Sequence, residues 1–212
     1  MESEPALGSE RPDGRLSGRR ADVERRTRET SVSLALDLDG AGRYEVSTGI
    51  GMFDHMLEQV ARHSLFDLRI NATGDIERDP HHLIEDVGLV LGQALNQALG
   101  ERRGISRFGH AFAPMDEALA LVAIDLGGRP YAAIDVTFDR EEIGQLPAEN
   151  VKHFLEAFAQ EGRLNLHARL LSGENDHHRV EALFKALARA LRSAVTIDDR
   201  ISDQVPSTKE VL

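Results

Sequence analysis

Cysteine and tryptophan are both absent from this 212-residue sequence. Without a thiol there is no disulfide, no thiolate nucleophile, no iron–sulfur cluster and no Cys-type zinc site. Such a chain is compatible with a reducing compartment. Aromatic residues are only 5% of the total, too few for a base-stacking platform. Positive charge is in deficit: 25 Lys and Arg stand against 36 Asp and Glu, for a net charge of −11. That excludes bulk electrostatic binding of nucleic acid and leaves room for a local basic pocket that takes a small anion. No apolar run approaches the roughly 18 residues a membrane helix needs, so no membrane partner is expected.

Apolar residues, at 41%, suffice for a real core. The length suits one large domain or two half-size units. Residues 1–24 mix Gly, Pro, Ser and both charge signs, which predicts a disordered N-terminal tail. The tail has no apolar signal core, and Glu2, Glu4, Glu10 and Asp13 argue against a transit peptide.

Order is expected after that. Val32, Leu34, Leu36 and Leu38 alternate with small or polar residues, the period of a strand. Residues 39–42 are a turn signal and 43–47 a returning strand. Residues 52–63 read as a helix, Phe66, Leu68 and Ile70 as a strand, and 83–99 as a long helix stopped by Gly100. The second half follows the same order, with strands over 119–124 and 131–138, a helix over 151–161, a strand over 164–171 and a helix over 180–194.

The halves share motifs as well as order. His55-Met56-Leu57-Glu58 aligns with His153-Phe154-Leu155-Glu156, and His81-His82-Leu83-Ile84-Glu85 with His177-His178-Arg179-Val180-Glu181. His153 lies 98 positions after His55, and His177 lies 96 after His81. Two motifs recurring in one order at nearly one interval imply a duplication, and this mix of strands and helices implies an α+β sandwich. The expected division is 25–108 and 109–200 for the half-repeats and 201–212 for a C-terminal segment.

The chemistry concentrates in histidine, of which there are nine. In His-His-x-x-Glu on a helix, the two imidazoles point about 100° apart, while the carboxylate three and four residues on shares a face with either. One turn can therefore serve two metal ions. His55, His81, His82, Glu85, His153, His177, His178 and Glu181 divide by count into two sites of three His and one Glu. Imidazole with carboxylate and no thiolate suits Mn, Fe, Co, Ni or Zn and suits Ca and Mg poorly. His63, His110 and His167 have no repeat partner and read as core or surface residues.

Several strings together carry a family likeness. Phe53-Asp54-His55-Met56-Leu57-Glu58-Gln59, His81-His82-Leu83-Ile84-Glu85-Asp86, Pro114-Met115-Asp116-Glu117-Ala118, Gly128-Arg129-Pro130-Tyr131, Asn175-Asp176-His177-His178-Arg179-Val180-Glu181 and Pro206-Ser207-Thr208-Lys209 resemble the imidazoleglycerol-phosphate dehydratases of histidine biosynthesis. The likeness runs from about Arg25 to Leu212. It implies two similar halves, each a four-stranded sheet with two helices on one face. It also implies a cytoplasmic lyase, a homo-oligomer of 24 subunits with shared active sites, and two Mn2+ per active site. By the resemblance, His81, His153, His177 and Glu181 serve one metal, and His55, His82, Glu85 and His178 the other.

The implied reaction turns imidazole glycerol phosphate into imidazole acetol phosphate. It removes a carbon-bound proton with no carbonyl beside it, so the attached imidazole must serve as electron sink, polarised by metal at its nitrogens. Loss of the proton gives a diazafulvene-like intermediate, and the neighbouring hydroxyl leaves as water. Glu29, just ahead of the first strand, matches the family's general base. Gln59, Arg107, Arg129, Lys185, Ser207 and Lys209 match its substrate-binding positions, cations that a phosphate requires in so acidic a chain. Residues 205–209 read as a loop that closes over the substrate.

The chain departs from the family pattern twice. Glu210 stands after Lys209 where Gly is usual, and His63-Ser64-Leu65 replaces a common His-Gly-Gly, which stiffens the helix exit if positive φ is needed there. Two other readings fit the inventory: a dinuclear metallohydrolase acting on a phosphoester, and a non-catalytic, metal-assembled shell protein.

Overall fold

Strands form where the period of two is carried through, and the faces they bury decide the layers. In the computed structural model, which describes residues 18–209, the first half contains β1 (Arg20–Arg26), β2 (Thr30–Asp37), β3 (Tyr44–Ser47), α1 (Gly51–Ser64), β4 (Asp67–Gly74) and α2 (His81–Leu99). The second half repeats the series with β5 (Phe108–Met115), β6 (Ala118–Asp125), β7 (Tyr131–Asp135), α3 (Ala148–Gly162), β10 (Asn165–Ser172) and α4 (Asp176–Val195). A small ribbon, β8 (Glu142–Ile143) and β9 (Leu146–Pro147), is inserted before α3, and a 3-10 turn, Asp199–Ile201, follows α4.

Each half makes one four-stranded sheet, in the orders β1-β2-β4-β3 and β5-β6-β10-β7. The pairings match as well. β2 with β4 and β6 with β10 are antiparallel, while β3 with β4 and β7 with β10 are parallel. The parallel pairs are those joined through a helix, as a crossover connection requires. The fold is α+β, two four-stranded sheets with four helices.

The helices lie between the sheets. α2 packs on β1 and β2, α4 on β5 and β6, and the halves meet through α2 against α3 and α1 against α4. Phe53, Phe154, Phe158 and Phe184 are fully buried at this junction. Phe53 meets Phe154 edge-on at 5.4 Å, and Phe154 stacks on Phe184 at 5.5 Å. The α2–α3 approach needs the absence of side chains, because a Cβ on Gly92 would lie 2.5 Å from the Phe158 carbonyl oxygen. The one continuous core therefore spans both halves.

The structure corrects the reading of 1–24 as tail throughout. Arg20 to Glu24 pair with β2, with Ala21 and Val23 buried. Alternation is present there, but two small apolar residues among charges carry too weak a signal. β5 is a second strand with no clear period in the sequence. Its buried positions are Gly109, Ala111 and Ala113, held small because a Cβ on Gly109 would sit 2.0 Å from the Ala190 carbonyl oxygen on α4. Each half is thus β-β-β-α-β-α, with an edge strand ahead of the expected first one. The strand expected over 131–138 stops at Asp135. Leu65 does adopt the left-handed conformation at the exit of α1, φ 66° and ψ 16°, a position glycine fills more cheaply.

Candidate metal and substrate site

The N-terminus of α4 is fixed before it presents anything. Asn175 caps it, its side chain accepting from the His177 backbone N–H at 2.9 Å. The buried Asp176 carboxylate accepts from the backbone N–H groups of Asp139 and Arg140 and from Arg179. From this start His177 and Glu181 share a helix face, and His177 Nε2 lies 3.2 Å from Glu181 Oε2. Because α1 packs against α4, His55 arrives at the same carboxylate, its Nε2 3.3 Å away. The ligand atoms of His55, His177 and Glu181 all lie within 4.8 Å of one another, the only such group of three or more among the described residues.

Glu181 is nearly buried, at 7% exposure. Burial alone would push its carboxyl up. Hydrogen bonds from Lys185, whose Nζ stands 2.7 Å from Oε1, and from His55 outweigh that and hold it below the usual carboxylate range. The group is therefore an ionised carboxylate with two imidazoles. That donor set fits a borderline divalent ion such as Mn, Fe, Co, Ni or Zn.

The other half brings two histidines together in the same way, without the carboxylate between them. Asp79 accepts from the His81 backbone N–H at 2.8 Å at the start of α2. α3 packs on α2 and brings His153 to His81, with ring centroids 4.7 Å apart. His81 Nδ1 lies 3.1 Å from Oδ1 of the buried Asn150. Glu85 is half-buried one turn along α2. The pairing within the chain thus runs crosswise: the α1 histidine joins the second half's motif, and the α3 histidine joins the first half's. The cause is the helix packing, α1 on α4 and α2 on α3. The allotment implied by the resemblance, with His55 apart from His177 and Glu181, concerns sites shared between subunits; these distances are those within one chain.

His82 and His178 turn to other carboxylates. His82 Nδ1 is 3.1 Å from Glu29 Oε2, and His178 Nδ1 is 2.8 Å from Glu117 Oε2. Glu29 sits at the β1–β2 hairpin tip, where Thr27 Oγ1 accepts from the backbone N–H groups of Glu29 and Thr30. The tip is fastened to α2 by the buried Asp86, which accepts from Thr30 and from Arg25.

The expected phosphate ligands divide into paired and open. Arg107, at φ 65°, is engaged by Asp125 through Nε at 2.7 Å and Nη2 at 3.1 Å, and its Nη1 donates to the Pro206 carbonyl at 2.8 Å. It therefore ties the C-terminal segment to the start of β5. Gln59 Oε1 is 3.0 Å from His63 Nε2. Arg129 and Lys209 are exposed, and Ser207 Oγ accepts from the Lys209 backbone N–H at 3.2 Å. Glu210 lies outside the described residues.

A family profile, imidazoleglycerol-phosphate dehydratase, matches residues 48–191. The chain belongs to that family. It is 56% identical over 196 residues to a curated imidazoleglycerol-phosphate dehydratase of Roseiflexus, covering 92% of this chain and 98% of the relative. It is 55% identical to the dehydratase of Dehalococcoides mccartyi strain 195, covering 93% and 99%. Two crystal structures of such dehydratases superpose with a TM-score of 0.77. The Staphylococcus aureus one is 35% identical and covers 84% of this chain and 99% of its own; the Pyrococcus furiosus one is 38% identical and covers 90% and 100%.

Three site residues were not singled out in the sequence. Asn150 contacts His81, yet the motif alignment sets it against Met52, so the matched strings give no cue. Asp125, which grips Arg107, is one acidic residue among many. Glu117 lies in one of the family strings, and only its position beside His178 shows what it touches.

Proposed function

We propose that this family member catalyses the metal-dependent dehydration of imidazole glycerol phosphate to imidazole acetol phosphate in histidine biosynthesis, with two Mn2+ per active site. The observation that carries the reading is the crosswise pairing of imidazoles around Glu181 and around His81, in a chain more than half identical to named dehydratases. His55, His177 and Glu181 would hold one ion, and His81, His153 and Glu85 the other. Manganese, when bound, would supply Lewis-acid polarisation for the substrate ring.

The chain's own residues do the rest. Glu29 takes the carbon-bound proton, its carboxylate held at the hairpin tip beside His82. Arg107, Arg129, Lys185, Ser207 and Lys209 take the phosphate, with Gln59 beside them. Asp125 keeps the Arg107 guanidinium in one orientation, and the Arg107 bond to Pro206 places the closing segment next to it.

Each ion would have only three donors within one chain, fewer than an octahedral ion takes. His82 and His178 stand apart from both groups within the chain and would serve as metal ligands in sites completed by a neighbouring subunit. The outer sheet faces expose Phe108, Phe112 and Tyr131, at 60%, 57% and 61%, in keeping with assembly into the homo-oligomer of 24 that the family implies. No described helix is long and apolar enough to cross a membrane, and a cytoplasmic enzyme fits the pathway.

The test is turnover of imidazole glycerol phosphate by the purified chain after chelation, with and without added Mn. A ketone that retains its phosphate, formed only with metal, is expected. Phosphate release would favour a metallohydrolase, and metal binding without turnover a shell protein. Glu29→Gln should slow turnover by about 100-fold or more while metal stays bound, as loss of a general base does.

A further inference from the structure

The duplication extends to the hairpin tips. Glu29 immediately precedes Thr30, the first residue of β2, and Glu117 immediately precedes Ala118, the first residue of β6. Each therefore closes the β-hairpin that opens its half. Each carboxylate also meets the second histidine of its own half's His-His-x-x-Glu string at the same ring nitrogen, Nδ1, at 3.1 Å for His82 and 2.8 Å for His178. Glu117 is the structural counterpart of the residue assigned as the base.

The two carboxylates are held very differently. Glu117 Oε1 accepts from the backbone N–H groups of Glu174 at 3.1 Å and Asn175 at 2.8 Å, in the segment leading into α4. The Glu117 carbonyl accepts from Ser172 Oγ at 3.0 Å, so backbone and side chain are both tied down. With Oε1 taken by two amides, Oε2 faces His178 in one orientation. Glu29 has no comparable anchorage: among the described residues only His82 approaches its carboxylate. Asp116, the other acid near His178, is 77% exposed and stands 3.7 Å from Nε2, beyond a hydrogen bond.

We propose that Glu117 is a positioning residue that fixes the His178 ring by occupying Nδ1, leaving Nε2 as the nitrogen that coordinates metal, so that the two duplicated hairpin tips have become one free base and one anchored ligand support. A metal-bound imidazole commonly donates its other N–H to a carboxylate, which sets tautomer and ring angle together. Glu117 supplies such an acceptor, and because the same oxygen pair also binds the α4 entry, ring and helix start are held as one unit. The idea rests on His178 being a metal ligand, as proposed above.

Glu117→Gln gives a sharp test, because geometry dictates which way the amide lies. The two backbone N–H groups require its oxygen, so its NH2 must face His178 Nδ1. That nitrogen then becomes the acceptor and the proton moves to Nε2, the wrong tautomer for coordination. Chelator-stripped full-length chain is titrated with MnCl2 and free Mn2+ is read by electron paramagnetic resonance, for wild type, Glu117→Gln, Glu117→Ala and Glu29→Gln. Glu117→Gln should bind Mn2+ at one site about 10–100-fold more weakly, with the melting temperature of the metal-free chain unchanged. Glu29→Gln should keep wild-type Mn affinity and lose turnover. Wild-type Mn affinity in Glu117→Gln overturns the proposal. So does a metal-free melting temperature lowered as far as in Glu117→Ala, which would make the residue a structural tie only. A wild-type chain that binds no Mn2+ sinks the metal reading itself, and is seen before any variant is compared.

Discussion

Glu181→Gln is the perturbation that bears most directly on the site, and its cost follows from the geometry. The carboxylate is 7% exposed and faces Lys185 at 2.7 Å, His177 at 3.2 Å and His55 at 3.3 Å. Glutamine has the same shape, so no cavity opens; only the charge goes. Removing one partner of a fully buried ion pair costs about 3–5 kcal/mol, and of an exposed pair about 0–1 kcal/mol. Lys185, 24% exposed, lies between these limits, and the amide oxygen can still accept its hydrogen bond, which places the loss near 2 kcal/mol. For a chain of this size each kcal/mol moves the melting temperature by about 2–4 °C, so the metal-free variant should melt about 4–8 °C lower. Metal separates this from an ordinary structural loss. At 100 times its dissociation constant an ion that binds only the folded state adds about 2.7 kcal/mol. Wild type should gain that from Mn2+ and the variant almost none of it. Calorimetric melting of both chains, chelated and Mn-loaded, reads all four states. Equal Mn-induced shifts in wild type and variant would refute Glu181 as a ligand.

The same comparison has a pH arm. Lys185 and His55 hold the Glu181 carboxyl below its ordinary value of 4.5 despite burial. A depressed acid stabilises the fold above the unfolded-state value and loses that contribution as pH falls through the folded one. In chelator, the gap between wild type and variant should therefore stay constant from neutral pH down to about 4.5 and close below it. A gap that does not narrow as pH falls below about 4.5 would take the energy away from the Glu181 charge.

Two further substitutions test the supports of the site. Asp125→Asn removes the charge that holds Arg107, and should raise KM for the phosphorylated substrate about 10-fold, equivalent to 1.4 kcal/mol, with kcat largely kept; steady-state kinetics with an unchanged KM would release Arg107 from the phosphate site. Gly92→Ala places a Cβ 2.5 Å from the Phe158 carbonyl oxygen and should cost about 1–3 kcal/mol by overpacking, read as a lower urea midpoint with an unchanged slope.

The parts of the fold legible in the sequence are those where side chains repeat with contrast. Val32, Leu34 and Leu36 alternate cleanly because one face of β2 meets helices and the other does not. α2 and α4 are long and periodic enough to stand out. β1 and β5 are illegible for one shared reason: as edge strands pressed close to a helix they bury Ala21, Val23, Gly109, Ala111 and Ala113, and small residues give almost no hydrophobic period. Functional side chains follow the same division. Histidines repeated at a fixed interval announce themselves, whereas Asn150, Asp125 and Glu117 are common residue types that act by where they stand.

The crosswise pairing within the chain has a physical reason. A helix can carry His and Glu on one face, but a third donor must come from a helix packed alongside. In this fold the neighbour of α4 is α1 and the neighbour of α2 is α3, each from the opposite half. Neither half-repeat alone places His55, His177 and Glu181 together, so this candidate metal group depends on the interface that also buries Phe53, Phe154 and Phe184. An ancestral half of this kind would have needed a second copy to form the same group. In the single chain both halves are present, and their matching hairpin tips carry Glu29 and Glu117 in different surroundings.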